Sequence, residues 1–170
     1  MDFFLMRILL YLLPMYIANS SAMLFGFGRR LDAGKNFTDG KPLLGKGKTI
    51  SGTCAGIFFG TLTAFTIYVI FPEVNSAINA NYIVFGFLLS LGAIFGDIAE
   101  SFLKRRIGRE SGAALPLLDQ LDFVIGGIAF ALIFYVPSAI EIAAILGITL
   151  IIHVALNCAA YVIGVKKVPW

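Results

Sequence analysis

Carboxylates are rare inside apolar sequence, yet four of them recur here at helical spacing. The stretch at residues 96–127 reads GDIAESFLKRRIGRESGAALPLLDQLDFVIGG. Asp97 and Glu100 stand one helical turn apart, and Ser101 and Lys104 continue the same face. Asp119 and Asp122 repeat the i, i+3 spacing further on, and Pro116 suits an early helical position. The joining loop is short, so the two helices are expected to be antiparallel neighbours with their carboxylates converging at one depth. An intramembrane carboxylate costs about 2.5–3.5 kcal/mol on insertion scales. Four together repel unless something positive sits among them. The candidates are Mg²⁺ and the cluster Lys104, Arg105 and Arg106. Oxygen-only ligands point to Mg²⁺ or Mn²⁺ rather than zinc. Interfacial salt bridges to the same cations are the plainer alternative, but paired DxxE and DxxD at matching depth favour a metal.

A second constellation lies at residues 32–52, DAGKNFTDGKPLLGKGKTISG. Gly40 to Lys46 matches the start of a G-x-x-x-x-G-K phosphate loop, but Gly47 replaces the Ser or Thr and no strand precedes it. A P-loop fold is therefore rejected. The physics still transfers: glycines let backbone N–H groups approach a phosphate, and Lys46 and Lys48 neutralise it. Thr49 is placed to cap the following helix. A solvated basic loop held by anionic lipid is the other reading. Asn19 falls near the same end of the first apolar segment. His153 and Asn157, at i, i+4, read as interhelical hydrogen-bond partners.

The elements that carry these residues belong in a bilayer. The 170-residue chain is 59% hydrophobic and only 14% charged, with a net charge of +3, and its mean hydropathy is +0.90. Soluble chains run to about 45–50% apolar and about 25% charged. Five apolar segments, about 3–25, 50–71, 82–103, 115–136 and 138–165, are each long enough to cross a core of ~30 Å. The first is too long and too poor in early cations for a cleaved signal. Every Lys and Arg except Arg7 falls in the loops at about 26–49 and 104–114 or in the tail with Lys166 and Lys167. The positive-inside rule makes that side cytoplasmic, with the N-terminus outside and the C-terminus inside. Gly52, Gly56 and Gly60, and Gly92 with Gly96, are four residues apart and read as internal packing surfaces rather than a dimer face. Pro14 interrupts the first span and frees a carbonyl that a neighbouring polar group can take. Cys54 and Cys158 sit in apolar stretches and imply neither disulfide nor zinc site. The expected fold is thus all-α, one integral membrane domain over residues 1–170.

These motifs together resemble the archaeal CDP-archaeol synthase family, a relative of the bacterial CDP-diacylglycerol synthases. Residues 14–19, PMYIAN, look like its opening motif, and residues 41–49 with Gly52 look like its loop motif. Gly96-Asp97, Ser101 to Arg106 and Pro116 to Asp122 resemble its catalytic signature. Gln120 stands where the wider cytidylyltransferase signature has Arg, which favours the archaeal branch. The resemblance covers most of the chain. It implies a membrane enzyme that joins CTP to an unsaturated ether-lipid phosphate, 2,3-bis-O-geranylgeranylglycerol 1-phosphate, releasing pyrophosphate. On that reading Asp97, Glu100, Asp119 and Asp122 hold Mg²⁺, and Asp97, Lys104, Arg105, Asp119 and Asp122 form the catalytic set. Asn19, Lys46, Lys48, Thr49, Gly52 and Ser101 contact CTP or the lipid phosphate. No nucleic-acid partner is expected, and the oligomeric state stays open. A CDP-diacylglycerol synthase-like activity and a CDP-alcohol phosphatidyltransferase are the nearest rivals, although the D-G-x-x-A-R lead of the latter is absent. A small transporter would need polar residues along a continuous path, whereas the acidic groups cluster at one interface.

The charge asymmetry gives an expected labelling pattern. In intact cells Gly34→Cys should be protected from an impermeant thiol reagent added outside, and Asn75→Cys should react. The opposite pattern would reverse the orientation.

Overall fold

A computed structural model of the chain describes residues 3–111, 113, 115 and 117–164. Pro116, Gly112, Lys166 and Lys167 lie outside the described residues. Among the described residues six helices follow one another: α1 Phe3–Leu24, α2 Ile50–Ile70, α3 Val74–Ile78, α4 Tyr82–Arg106, α5 Leu118–Ala131 and α6 Ala139–Val162. Polar side chains open three of these helices. Thr49 Oγ1 accepts the Gly52 N–H at 3.1 Å and opens α2. Asn81 Oδ1 accepts the Ile83 and Val84 N–H groups at 3.0 and 3.2 Å and opens α4. Ser138 and Glu141 form a reciprocal capping box on α6. Gly108, at φ +78°, closes α4 as a Schellman motif: its N–H reaches the Arg105 carbonyl, and the Arg109 N–H reaches that of Lys104.

Four helices, α1, α2, α4 and α6, are long and apolar enough to cross a membrane. The fourth expected segment differs. Its helix α5 has 14 residues, about 21 Å at 1.5 Å each. Leu117, at φ +70°, delays its start. Past Ala131 the chain turns toward Pro137, whose ring disfavours helix in the residue before it. The stretch 132–137 continues without regular helix. The Tyr11 hydroxyl donates to the Tyr135 carbonyl at 3.2 Å, and Arg7 pairs with Glu141 at 2.7 Å. Non-helical backbone at this depth is tolerable because protein groups meet its polar atoms.

Small residues let the helices touch backbone to backbone. A Cβ added at Gly52, Gly56 or Gly60 would stand 2.6, 2.8 and 2.8 Å from the carbonyl oxygens of Ala22, Ala18 and Pro14. The matching steps of four along both chains define an antiparallel α1–α2 seam. The same glycine face of α2 also meets α4, with Gly56 on Ile94 and Gly60 on Ser90. On α4, Gly92 lies against the Gly126 carbonyl and Gly96 against that of Asp122. The glycine repeats thus serve internal packing. Pro14 leaves the Leu10 carbonyl without its helical partner, and the buried Tyr82 hydroxyl donates to it at 2.9 Å. Tyr11, Met15, Phe85, Leu89, Phe123 and Val124 fill the core among α1, α4 and α5. Cys54 and Cys158 are exposed.

The α4–α5 seam generates a stability test. Gly96→Ala drives a methyl into backbone that has no rotamer to yield, so it should destabilise by about 1–3 kcal/mol and lower the melting temperature in detergent. Gly147→Ala, with nothing within 4 Å of its added methyl, should leave or slightly raise it.

Candidate functional site

The loop between α1 and α2 is folded around one carboxylate. Asp32, buried, accepts the Gly34 N–H at 2.8 Å and the Leu44 N–H at 3.0 Å, and pairs with Arg30 at 2.9 Å. Burial alone would push this carboxyl up. The two N–H groups and the guanidinium outweigh it and hold Asp32 below the usual carboxylate range. Backbone bonds from Leu31 to Lys48 and from Ile50 to Arg29 zip the loop's ends together. Ser51 Oγ then ties the start of α2 to the carbonyls of Phe25 and Phe27.

The loop is clamped onto the end of α4. The Arg106 guanidinium lies over the rings of Phe37 and Phe102, 4.7 and 4.9 Å from their centroids. It also pairs with Asp39 and donates to the Pro42 carbonyl. Lys41 Nζ reaches the Arg106 carbonyl at 2.8 Å. The Gly45 N–H donates to Ser101 Oγ at 3.3 Å, and the Lys46 N–H donates to Ser111 Oγ at 3.2 Å. These bonds lay residues 45–48 across the mouth of the carboxylate cluster.

There, Asp97, Glu100 and Asp122 present oxygens that all lie within 4.8 Å of one another. Glu100 and Asp122 are buried and Asp97 is half-buried. The close contact of Gly96 with the Asp122 carbonyl is what lets α5 bring Asp122 this near. Two ammonium groups answer the charge. Lys48 reaches Asp97 at 2.5 Å. Lys104, buried, sits 2.6 Å from Glu100 and 2.7 Å from Asp119. The donor set is hard oxygen at a spacing that one small cation can bridge, so the residues fit a divalent metal such as Mg²⁺.

The sequence-derived residues separate into groups. Asp97, Glu100 and Asp122 converge as expected. Asp119 borders that group: one oxygen meets the Lys104 ammonium that also holds Glu100, and the other accepts the Leu115 N–H at 3.0 Å. One turn along a helix changes depth by about 4.5 Å and direction by about 60°, enough to send the two aspartates to different partners. A central cavity of about 280 Å³ is lined by the three converging carboxylates with Lys48, Ser101, Lys104, Arg105 and Asp119. A second, of about 290 Å³, shares Gly47, Lys48 and Asp97 with it and adds Asn19, Thr49 and Gly52. Ala22, Met23, Ile94 and Ile98 give this second cavity an apolar wall. Lys46 lines neither of them. Its side chain borders a third cavity on the loop side, where Arg105 also appears. Thr49 spends its hydroxyl on the α2 cap. Sequence reasoning missed Ser111, Asp32, Ser51 and the clamp formed by Phe37, Asp39 and Arg106. Only the loop's unusual density of charge signalled them.

Known proteins are similar to this chain in sequence and in fold. A family model described as CarS-like, CDP-archaeol synthase, matches residues 1–170. A CDP-archaeol synthase of Methanocaldococcus jannaschii is 44% identical, covering 94% of each chain. That of Methanococcoides burtonii is 40% identical over 94% of this chain and 100% of its own. A solved structure of an intramembrane enzyme for archaeal membrane lipids biosynthesis superposes with a TM-score of 0.81 at 34% identity, covering 89% of this chain and 93% of that one.

The Asp32 hub carries a pH prediction. Its lowered carboxyl contributes stability that is complete above the unfolded value of about 3.9 and is lost as pH falls through the folded value. Loop order should therefore be constant from pH 8 to 5 and loosen only below about pH 4. Asp32→Asn should raise amide exchange at Gly34 and Leu44 at neutral pH, by the loss of about 1–3 kcal/mol of charge-assisted bonding.

Proposed function

The chain belongs to the CDP-archaeol synthase family, and from that premise we propose how its residues divide the work. It is a CTP-dependent cytidylyltransferase of the membrane that forms CDP-archaeol. We propose 2,3-bis-O-geranylgeranylglycerol 1-phosphate as the lipid acceptor. One of its phosphate oxygens attacks the α-phosphorus of CTP. The bond to the α–β bridging oxygen breaks, and pyrophosphate leaves with that electron pair. A lipid phosphate is already ionised at neutral pH, so no strong base is needed. The protein's task is positioning and charge neutralisation.

The observation that supports this reading is the convergence of Asp97, Glu100 and Asp122 beside Lys48 and Lys104. Those three carboxylates would hold Mg²⁺, which supplies compensation of phosphate charge when bound. Asp119 steadies Lys104 against the central cavity. Lys48 stands between the two inner cavities and is the cation best placed to meet the α-phosphate. Asn19, Thr49 and Gly52 line the cavity with the apolar wall, through which the isoprenoid chains can stay in lipid while the phosphate reaches Asp97 and Lys48. Arg105 and Ser101 border the central cavity from the α4 side. Among the described residues, the carboxylates sit at the end of the bundle that carries every Lys and Arg but Arg7, so we assign the site to the cytoplasmic side, where CTP is available.

Radiolabelled CTP consumption by purified protein, with and without the lipid phosphate, tests the reaction. Asp97→Asn and Asp122→Asn should each lower turnover roughly a hundredfold or more, the scale of several kcal/mol of metal-borne stabilisation. Both should also weaken Mn²⁺ binding followed by electron paramagnetic resonance. Folded variants with near-wild-type turnover and an unshifted metal requirement would show these carboxylates to be structural only.

A further inference from the structure

Helix α5 carries Asp122 to the carboxylate cluster, and its rotation decides where that carboxylate points. One line of contact cannot fix a rotation. On the α4 side Asp122 and Gly126 rest on Gly96 and Gly92, and a rod seated on a single seam can roll about it. A second line lies one residue round the helix, about 100° away. There Gly127 packs against Met15 of α1, and Phe123 meets Tyr16 of the same helix. Phe123 is one turn nearer the cluster than Gly127. Tyr16 is therefore the α1 residue that holds α5 beside Asp122.

Three rings from three helices meet at this point. Tyr16 and Phe123 pack edge to face, with centroids 5.1 Å apart and planes at 90°. His153 of α6 stands 6.3 Å from Tyr16 and 5.9 Å from Phe123, tilted to both. Phe123 is fully buried. The Tyr16 hydroxyl donates to the Thr149 carbonyl at 3.5 Å, a long hydrogen bond. The ring thus contributes more to the junction than the hydroxyl does.

Phe123 passes this grip to Asp122 directly. Its N–H donates to Asp122 Oδ1 at 2.6 Å, so the residue whose ring is anchored also orients the carboxylate. Asp122 has to meet Asp97 and Glu100 within 4.8 Å, and a small hard cation tolerates little error in such distances. None of Tyr16, Phe123 and His153 lines the central cavity or the one with the apolar wall. Their influence on the reacting centre runs through Asp122.

Resting on the metal-assisted reading of the cluster, we propose that Tyr16 is a positioning residue for the transfer reaction. Its ring bears on Phe123 and so keeps the Asp122 carboxylate in register with Asp97 and Glu100 for a divalent cation. His153 backs the same ring from α6.

The test is Mn²⁺ binding to purified full-length protein, followed by electron paramagnetic resonance, with thermal unfolding in detergent alongside. Tyr16→Leu and the more flexible Tyr16→Met should each weaken Mn²⁺ roughly tenfold or more, the scale for groups that orient metal ligands. Whichever of the two is folded decides the matter. The Mg²⁺ concentration for half-maximal turnover should rise in step, while KM for the lipid phosphate stays unchanged. Tyr16→Phe, which keeps the ring, should bind Mn²⁺ within about threefold of wild type. Phe123→Leu should match Tyr16→Leu, and the double variant should lose no more than the worse single one, because both act on one contact. A folded Tyr16→Leu or Tyr16→Met that melts earlier but binds Mn²⁺ as wild type does overturns the proposal, since Tyr16 is then core packing only. Losses that multiply in the double variant, or a Tyr16→Phe as damaged as Tyr16→Leu, overturn it too. Wild-type protein with no Mn²⁺ site sensitive to Asp97→Asn removes the metal reading and this role together. Wild-type binding with the Tyr16 variants unchanged removes this role alone.

Discussion

Like charges forced together at the edge of a bilayer are the constraint on which this structure turns. Two unit charges 4 Å apart repel by about 4 kcal/mol near a protein surface, and Asp97, Glu100 and Asp122 bring three within 4.8 Å of one another. The molecule answers with ammonium groups from two different elements. Lys104 belongs to the helix that carries Asp97 and Glu100, whereas Lys48 arrives from the loop before α2. The loop must therefore fold back over the helix ends for the cluster to be tolerable. Its internal order, built on Asp32 and held by Arg106, is part of the electrostatics of the site and not a separate matter.

That arrangement also explains the uneven use of cations. Arg106 is a neighbour of Lys104 and Arg105 in sequence, yet its guanidinium turns away to stack on Phe37 and Phe102. A planar cation can be gripped by two rings and a carboxylate at once, which suits it to fastening. The lysines, compact and on flexible stems, are the ones that reach into the acidic cluster.

Much of this was legible in the chain. Carboxylates at i, i+3 inside apolar sequence have few reasons to exist, and their convergence followed from a short loop and antiparallel helices. Glycines every fourth residue announced close helix contact, and Pro14 announced a carbonyl in need of a donor. The limits were equally physical. Spacing of i, i+3 gives a shared face but not the helix's rotation against its neighbours, so it did not tell that Asp119 meets Lys104 and the Leu115 N–H at the border of the group that Asp122 joins. Two lysines separated by one glycine read alike in a loop, but the backbone turns Lys48 inward and Lys46 to the other cavity. Apolar length suggested a full helix where α5 makes 14 residues, because hydropathy measures how deep a segment lies and not how much of it is helical.

The glycine seam between α4 and α5 has a mechanical meaning. Where main chain rests on main chain, as Gly96 does on the Asp122 carbonyl, there is no side-chain slack to take up strain. The gap between Asp97 and Asp122 is then a property of two rods in contact, transmitted without cushioning from the seam to the reacting centre. A bilayer that thickens, thins or warms presses on the outside of the bundle and leaves that gauge unchanged.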